Sequence, residues 1–77
     1  MYYIYKERRL ICSSNDIEYV IEFTKLMIDK EISTEKDSIK LKQLYEYKLV
    51  LNSPKVGVNQ LQHILARLEY SLEVDIK

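Results

Sequence analysis

Cysteine, histidine, glycine and proline each occur once in this 77-residue chain, and tryptophan does not occur at all. Each scarcity removes a class of chemistry. A structural zinc site needs about four Cys or His ligands at short spacing, and Cys12 and His63 cannot supply it. One thiol cannot make an intrachain disulfide and suits a reducing compartment. One glycine cannot build a loop that cradles phosphate. A Cys–His nucleophile pair needs only that the two side chains meet in space. Cys12, however, ends the run Leu10-Ile11-Cys12, which reads as buried strand, where a thiol packs as a small hydrophobe. His63 falls beside Gln60 and Arg67 on the polar side of an expected helix. Glu18 and Glu22, four apart, could do acid–base work only if burial separated their pKa values, and their place is a solvated helix face. The expectation is therefore a chain with no catalytic residue, no metal ligand and no cofactor.

No stretch approaches the ~20 apolar residues that span a bilayer. The N-terminal segment Met1–Tyr5 precedes its charges, Lys6 to Arg9, the reverse of a secretory signal. These features predict a soluble, cytoplasmic protein that does not engage a membrane.

What is present is a folded-domain composition, 47% hydrophobic and 31% charged, in one domain over residues 1–77. A chain of 9.2 kDa folds to about 4,900 Å² of surface from about 13,300 Å² extended. That burial is marginal for a monomer, and small domains without disulfide or metal gain stability by associating. Twelve basic and twelve acidic residues cancel, so no global attraction pulls the chain to nucleic acid. Locally the charge separates. Residues 16–31 carry five acids against two lysines, and residues 36–55 carry five lysines against two acids.

Residues 2–12 favour strand through Tyr, Ile and Leu. The charged cluster Lys6-Glu7-Arg8-Arg9 divides two apolar stretches, which suits a hairpin turning near Glu7 and Arg8 or a single strand. Ser13–Asp16 opens a helix with Asn15 as cap and Glu18 as its capping-box partner. Ile17, Val20, Ile21, Thr24 and Ile28 follow at helical spacing to about Lys30, widened by Tyr19, Phe23, Leu26 and Met27. Over residues 39–51, Ile39, Leu41, Tyr45, Tyr47, Leu49 and Leu51 alternate, and period two predicts a strand. The helix-forming Lys, Leu, Gln and Glu of this segment argue for a helix. The strand also has a length problem. Thirteen extended residues reach about 43 Å, whereas a compact chain of this size is roughly 30 Å across. Such a strand would bend, begin near Gln43, or extend to a partner chain. After a turn at Asn52–Lys55, Leu61, Ile64, Leu65, Leu68 and Leu72 trace one helical face from a start at Asn59 and Gln62 to about Glu73. Val74–Lys77 is then a tail or a short final strand.

The fold expected is α+β: a small antiparallel sheet of residues 2–12 and about 43–51, packed against helices at about 16–30 and 60–73. No chemistry-bearing motif stands out, so function is expected in a surface. Tyr2, Tyr3, Tyr5, Tyr45 and Tyr47, with Arg8 and Arg9, are the candidate contacts for another protein, because Tyr joins a large apolar body to a polar tip. Marginal size and the overlong strand point to a homodimer. Together these predict a non-enzymatic regulator or inhibitor, a role common among small proteins of phages and mobile elements. The alternative is a nucleic-acid-binding regulator. It would use Asn59, Gln60, His63 and Arg67 on the 59–71 helix, in the manner of a recognition helix, or Lys40, Lys42 and Lys48 on the 40–48 strand as phosphate contacts. The same lysines could simply guard an edge strand against aggregation.

Overall fold

A computed structural model describes residues 1–75. Two strands come first, β1 (Tyr2–Lys6) and β2 (Arg9–Ser14), followed by three helices, α1 (Ile17–Thr34), α2 (Ser38–Leu51) and α3 (Val58–Arg67), and a last strand, β3 (Ser71–Val74). β1 lies in the middle of a three-stranded sheet of order β2-β1-β3, antiparallel to both neighbours. The class is α+β.

The hairpin expected within residues 2–12 forms. Its loop is the two residues Glu7 and Arg8, both at positive φ, 51° and 68°, as a type I′ turn requires. In β2 the register slips: Ile4 faces Cys12 and Tyr5 faces Leu10, so Ile11 is the extra residue of a bulge. The slip leaves Leu10 and Ile11 exposed and keeps Cys12 on the buried side opposite Ile4. At the other edge, Met1 and Asp75 exchange backbone hydrogen bonds of 3.1 and 2.9 Å, which closes the β1–β3 ladder.

Asp16, not Asn15, caps α1, its carboxylate accepting from the Glu18 N–H at 3.0 Å. The helix runs four residues past the expected end at Lys30. Val20, Ile21, Thr24 and Ile28 are buried, and the Thr24 hydroxyl donates to the Val20 carbonyl at 2.8 Å, so the one buried polar side chain among the described residues is satisfied.

The strand expected over residues 43–51 is a helix. Asp37 caps it through the Ile39 N–H at 2.9 Å, and its length is about 21 Å rather than 43 Å, which removes the length problem. Leu44 and Leu51 are buried, with Leu41 and Tyr47 half-buried beside them; the spacing of these four is helical. The alternation over this segment arises because Ile39, Tyr45, Leu49 and Val50 are apolar without being core; they are 78%, 53%, 72% and 39% exposed. Local helix propensity decides the backbone, and the apolar surplus stays outside.

α3 also ends earlier than the expected Glu73. Glu69 takes φ 69°, its N–H bonds the Ala66 carbonyl at 3.1 Å, and the Tyr70 N–H bonds the Leu65 carbonyl at 2.8 Å. That pair is a Schellman motif with glutamate where glycine is usual. It frees Ser71–Val74 to return as the third strand. At the start of α3, the Gln60 side chain accepts from the Gly57 N–H at 2.7 Å, so the cap is Gly57, two residues before the expected Asn59, and the helix begins at Val58.

The three helices cover one face of the sheet. Ile4, Cys12 and Leu72 point into the layer between, against Val20, Ile28, Leu61 and Leu65. Gln62 crosses it, donating to the Leu72 carbonyl at 3.1 Å. α2 packs chiefly along α1. The result is flat, 42 × 29 × 16 Å.

Candidate interaction surfaces

Four surfaces follow from this layering. The first is the uncovered face of the sheet. Strand alternation sends Tyr3 and Tyr5 there while Tyr2 joins Ile4 on the helix side. The two rings lie 6.5 Å apart, tilted by 32°. Their cross-strand neighbours are Ser13 and Leu10 on β2, and Glu73 and Ser71 on β3. Arg8 and Arg9 are exposed at one end, on the strained hairpin tip.

The second is the outer rim of α1 and α2. Lys48 Nζ meets Asp29 Oδ1 at 2.7 Å across the two helices. Leu26 stands one turn before Asp29 and Tyr45 one turn before Lys48, while Leu49 follows Lys48 directly and lies one turn after Tyr45. Residues three or four apart share a helix face, so these side chains flank the ion pair. Leu26 is 67% exposed, and Tyr19, seven residues before it, 56%.

The third is an apolar groove of about 390 Å³ between α2 and α3, lined by Tyr47, Val50, Asn59, Gln60, His63 and Ile64. The fourth is a cleft of about 310 Å³ in which Lys6, Lys40 and Arg67 face Glu31, Glu35 and Glu69. Its charges balance. Lys6 also sits 4.3 Å from the centre of the Tyr70 ring, a cation–π contact that helps hold the cleft wall.

The sequence-predicted contacts are divided among these surfaces. The tyrosines form no single cluster: Tyr3 and Tyr5 lie on the sheet, Tyr45 on the α1–α2 rim and Tyr47 in the groove. Asn59, Gln60, His63 and Arg67 are all exposed and share one side of α3, as their spacing implied. Lys40, Lys42 and Lys48 do not form a strand face. On the helix they diverge: Lys40 enters the charged cleft, Lys42 points outward and Lys48 pairs with Asp29. Tyr19, Leu26, Ile39, Leu49 and Val50 were not among the expected contacts. Their signal was present as an apolar stripe on α1 too wide for one buried face, and as apolar residues of both parities in α2.

Cys12 is buried in the sheet, whereas His63 lines the groove between α2 and α3. Burial pushes the Cys12 thiol above its ordinary pKa range, which disfavours the reactive thiolate. A disulfide reagent at pH 8 is expected to modify Cys12 at least about tenfold more slowly in the native chain than in denaturant; equal rates would contradict the buried placement. Among the described residues, no three His, Cys, Asp or Glu side chains are grouped to hold a metal ion. No helix among them is long and apolar enough to cross a membrane.

Comparisons with protein-family models, curated proteins and solved structures find no match to this chain. The fold and its surfaces define a two-layer α+β domain with helices on one side of a three-stranded sheet.

Proposed function

We propose that this chain is a non-enzymatic interaction module, a homodimer that acts as a regulator or inhibitor by binding another protein. The observation that carries the reading is the surplus of exposed apolar surface. The chain exposes 5706 Å² where a compact protein of its mass exposes about 4,900 Å². Four large apolar side chains, Tyr19, Leu26, Tyr45 and Leu49, stand exposed on the α1–α2 rim. Isolated exposed hydrophobes are ordinary on a monomer, but grouped ones mark association sites. Tyr3, Tyr5, Arg8 and Arg9, away from the helices, are the contacts assigned to the other protein. Sedimentation equilibrium at micromolar concentrations is expected to give the mass of two chains. A monomer at high micromolar concentration would overturn the homodimer.

One observation favours a second reading, binding of nucleic acid. The segment before α3 is a helix, so α2, the turn and α3 follow in helix-turn-helix order, with Asn59, Gln60, His63 and Arg67 on the exposed side of the second helix. Against it, the connection of residues 52–57 is longer than the usual 3–4-residue turn, and Lys48 is held by Asp29. A gel shift with mixed DNA and RNA at low salt separates the readings. No retardation is expected; retardation that falls steeply with salt would replace the first reading with the second.

A further inference from the structure

We infer that α2 is a two-state segment. It is a helix while it lies on α1, and when it swings off, residues 43–51 become an antiparallel strand that pairs with the same segment of a second copy. A native chain that is monomeric in solution leaves this standing.

The helical state is held by local means. Asp37 caps it through the Ile39 N–H at 2.9 Å, and Lys48 Nζ meets Asp29 on α1 at 2.7 Å. Its grip on the core is small. Only Leu44 and Leu51 are buried among its fourteen residues, and α2 packs chiefly along α1. α1, α3 and the sheet meet one another without it. Elements with few buried apolar contacts open first.

The extended state uses what the helix leaves out. Residues 43–51 contain neither Gly nor Pro, and their one acid, Glu46, cancels their one base, Lys48. That is the composition of segments that stack as strands between chains. Extended, they place Tyr45, Tyr47, Leu49 and Leu51 on one side, whereas the helix leaves Tyr45 and Leu49 mostly exposed.

Charge identifies the partner and the direction. Set antiparallel about Tyr47, two copies of the segment oppose Glu46 to Lys48 twice, Leu44 to Val50 twice and Tyr45 to Leu49 twice. Set parallel in register, they would oppose Glu46 to Glu46 and Lys48 to Lys48, and like charges directly opposite are destabilising. The segment complements itself in one direction only. Both edges of such a strand are equivalent, so the ladder extends by adding chains.

The test uses the full chain in two measurements. In native hydrogen exchange, the amides of α2 are expected to exchange at least about tenfold faster than those of the buried turns of α1 and α3; equal rates would overturn the opening. Incubation just below the thermal midpoint is then expected to give assemblies with the 4.7–4.8 Å repeat of stacked strands and the infrared signature of antiparallel sheet. No assembly, or one that keeps its helical circular dichroism, would overturn the strand state, and a parallel signature would overturn the direction. Leu49→Lys, at a position 72% exposed in the helix, should leave the native fold intact and slow assembly at least about tenfold. Ile39→Lys, equally drastic and 78% exposed but outside the segment, should not slow it. Equal rates for Leu49→Lys and the parent would overturn the choice of segment. Glu46→Lys should slow assembly about tenfold by opposing lysine to lysine, and Glu46→Lys/Lys48→Glu should restore the rate; slowing without rescue would overturn the pairing about Tyr47.

Discussion

Replacing Leu65 with alanine is expected to abolish, or lower by well over 10 °C, the cooperative thermal transition of this domain. Leu65 is fully buried where α3 faces the sheet and α1. Removing a core leucine to the β-carbon costs about 2–5 kcal/mol, the upper values where the site cannot collapse. A domain of this length holds roughly 4–12 kcal/mol in total, and one with neither disulfide nor metal sits toward the lower end. In a domain this small each kcal/mol is worth about 4–8 °C. Scanning calorimetry on Leu65→Ala and on Leu49→Ala makes the comparison. Both lose the same atoms, but Leu49 is 72% exposed, so its truncation should shift the transition little at low protein concentration. A Leu65→Ala domain within 1 kcal/mol of the parent would mean that α3 does not close the core as described.

The same contrast between buried and exposed leucines explains what could be read from the sequence. α1 was legible because its buried residues recur at helical spacing and its cap is a polar cluster before an apolar run. The hairpin was legible because charged residues interrupt two apolar stretches, even without Asn or Gly in the turn. α2 was misread because half of its apolar residues serve no core. Ile39, Leu41, Tyr45, Tyr47, Leu49 and Leu51 show period two when counted together, with Leu44 and Val50 in the opposite set. They show a helical stripe only when those that pack, Leu41, Leu44, Tyr47 and Leu51, are separated from those that do not. The sequence does not label which leucine meets a neighbour; the tertiary fold does. The residues that spoiled the helical pattern, Ile39, Tyr45, Leu49 and Val50, are the exposed ones. The polar face of α3 was legible as a face, because a ten-residue helix with a clean apolar stripe leaves no choice about its other side. The tyrosines were not: their proximity in space depended on placing Tyr45 and Tyr47 in the sheet with Tyr3 and Tyr5. The early end of α3 left no mark either, because its stop signal is a backbone conformation taken by Glu69.

That conformation belongs to a pattern from which the second large effect follows. The described chain has three residues in the left-handed region, Glu7, Arg8 and Glu69, and none is glycine. The one glycine, Gly57, caps α3 in extended backbone at φ −115°. A non-glycine residue in the left-handed region gives up roughly 1–2 kcal/mol to contact between its β-carbon and the backbone. Part of any gain from glycine is offset by the greater freedom that glycine has when unfolded. The triple variant Glu7→Asn/Arg8→Gly/Glu69→Gly places the preferred pair in a type I′ turn and the preferred residue in a Schellman motif. It should stabilise the domain by about 2 kcal/mol, a rise in midpoint of roughly 10 °C, read by calorimetry at matched concentration. A midpoint that falls would contradict the left-handed geometry at these positions. The hairpin substitution carries a second reading, because it removes Arg8 from the tip assigned to another protein. Backbone strain retained at an exposed tip is a mark of use. If the tip binds, the hairpin double variant should be more stable and bind less well, whereas Glu69→Gly, at the far end of α3, should add stability and leave binding unchanged.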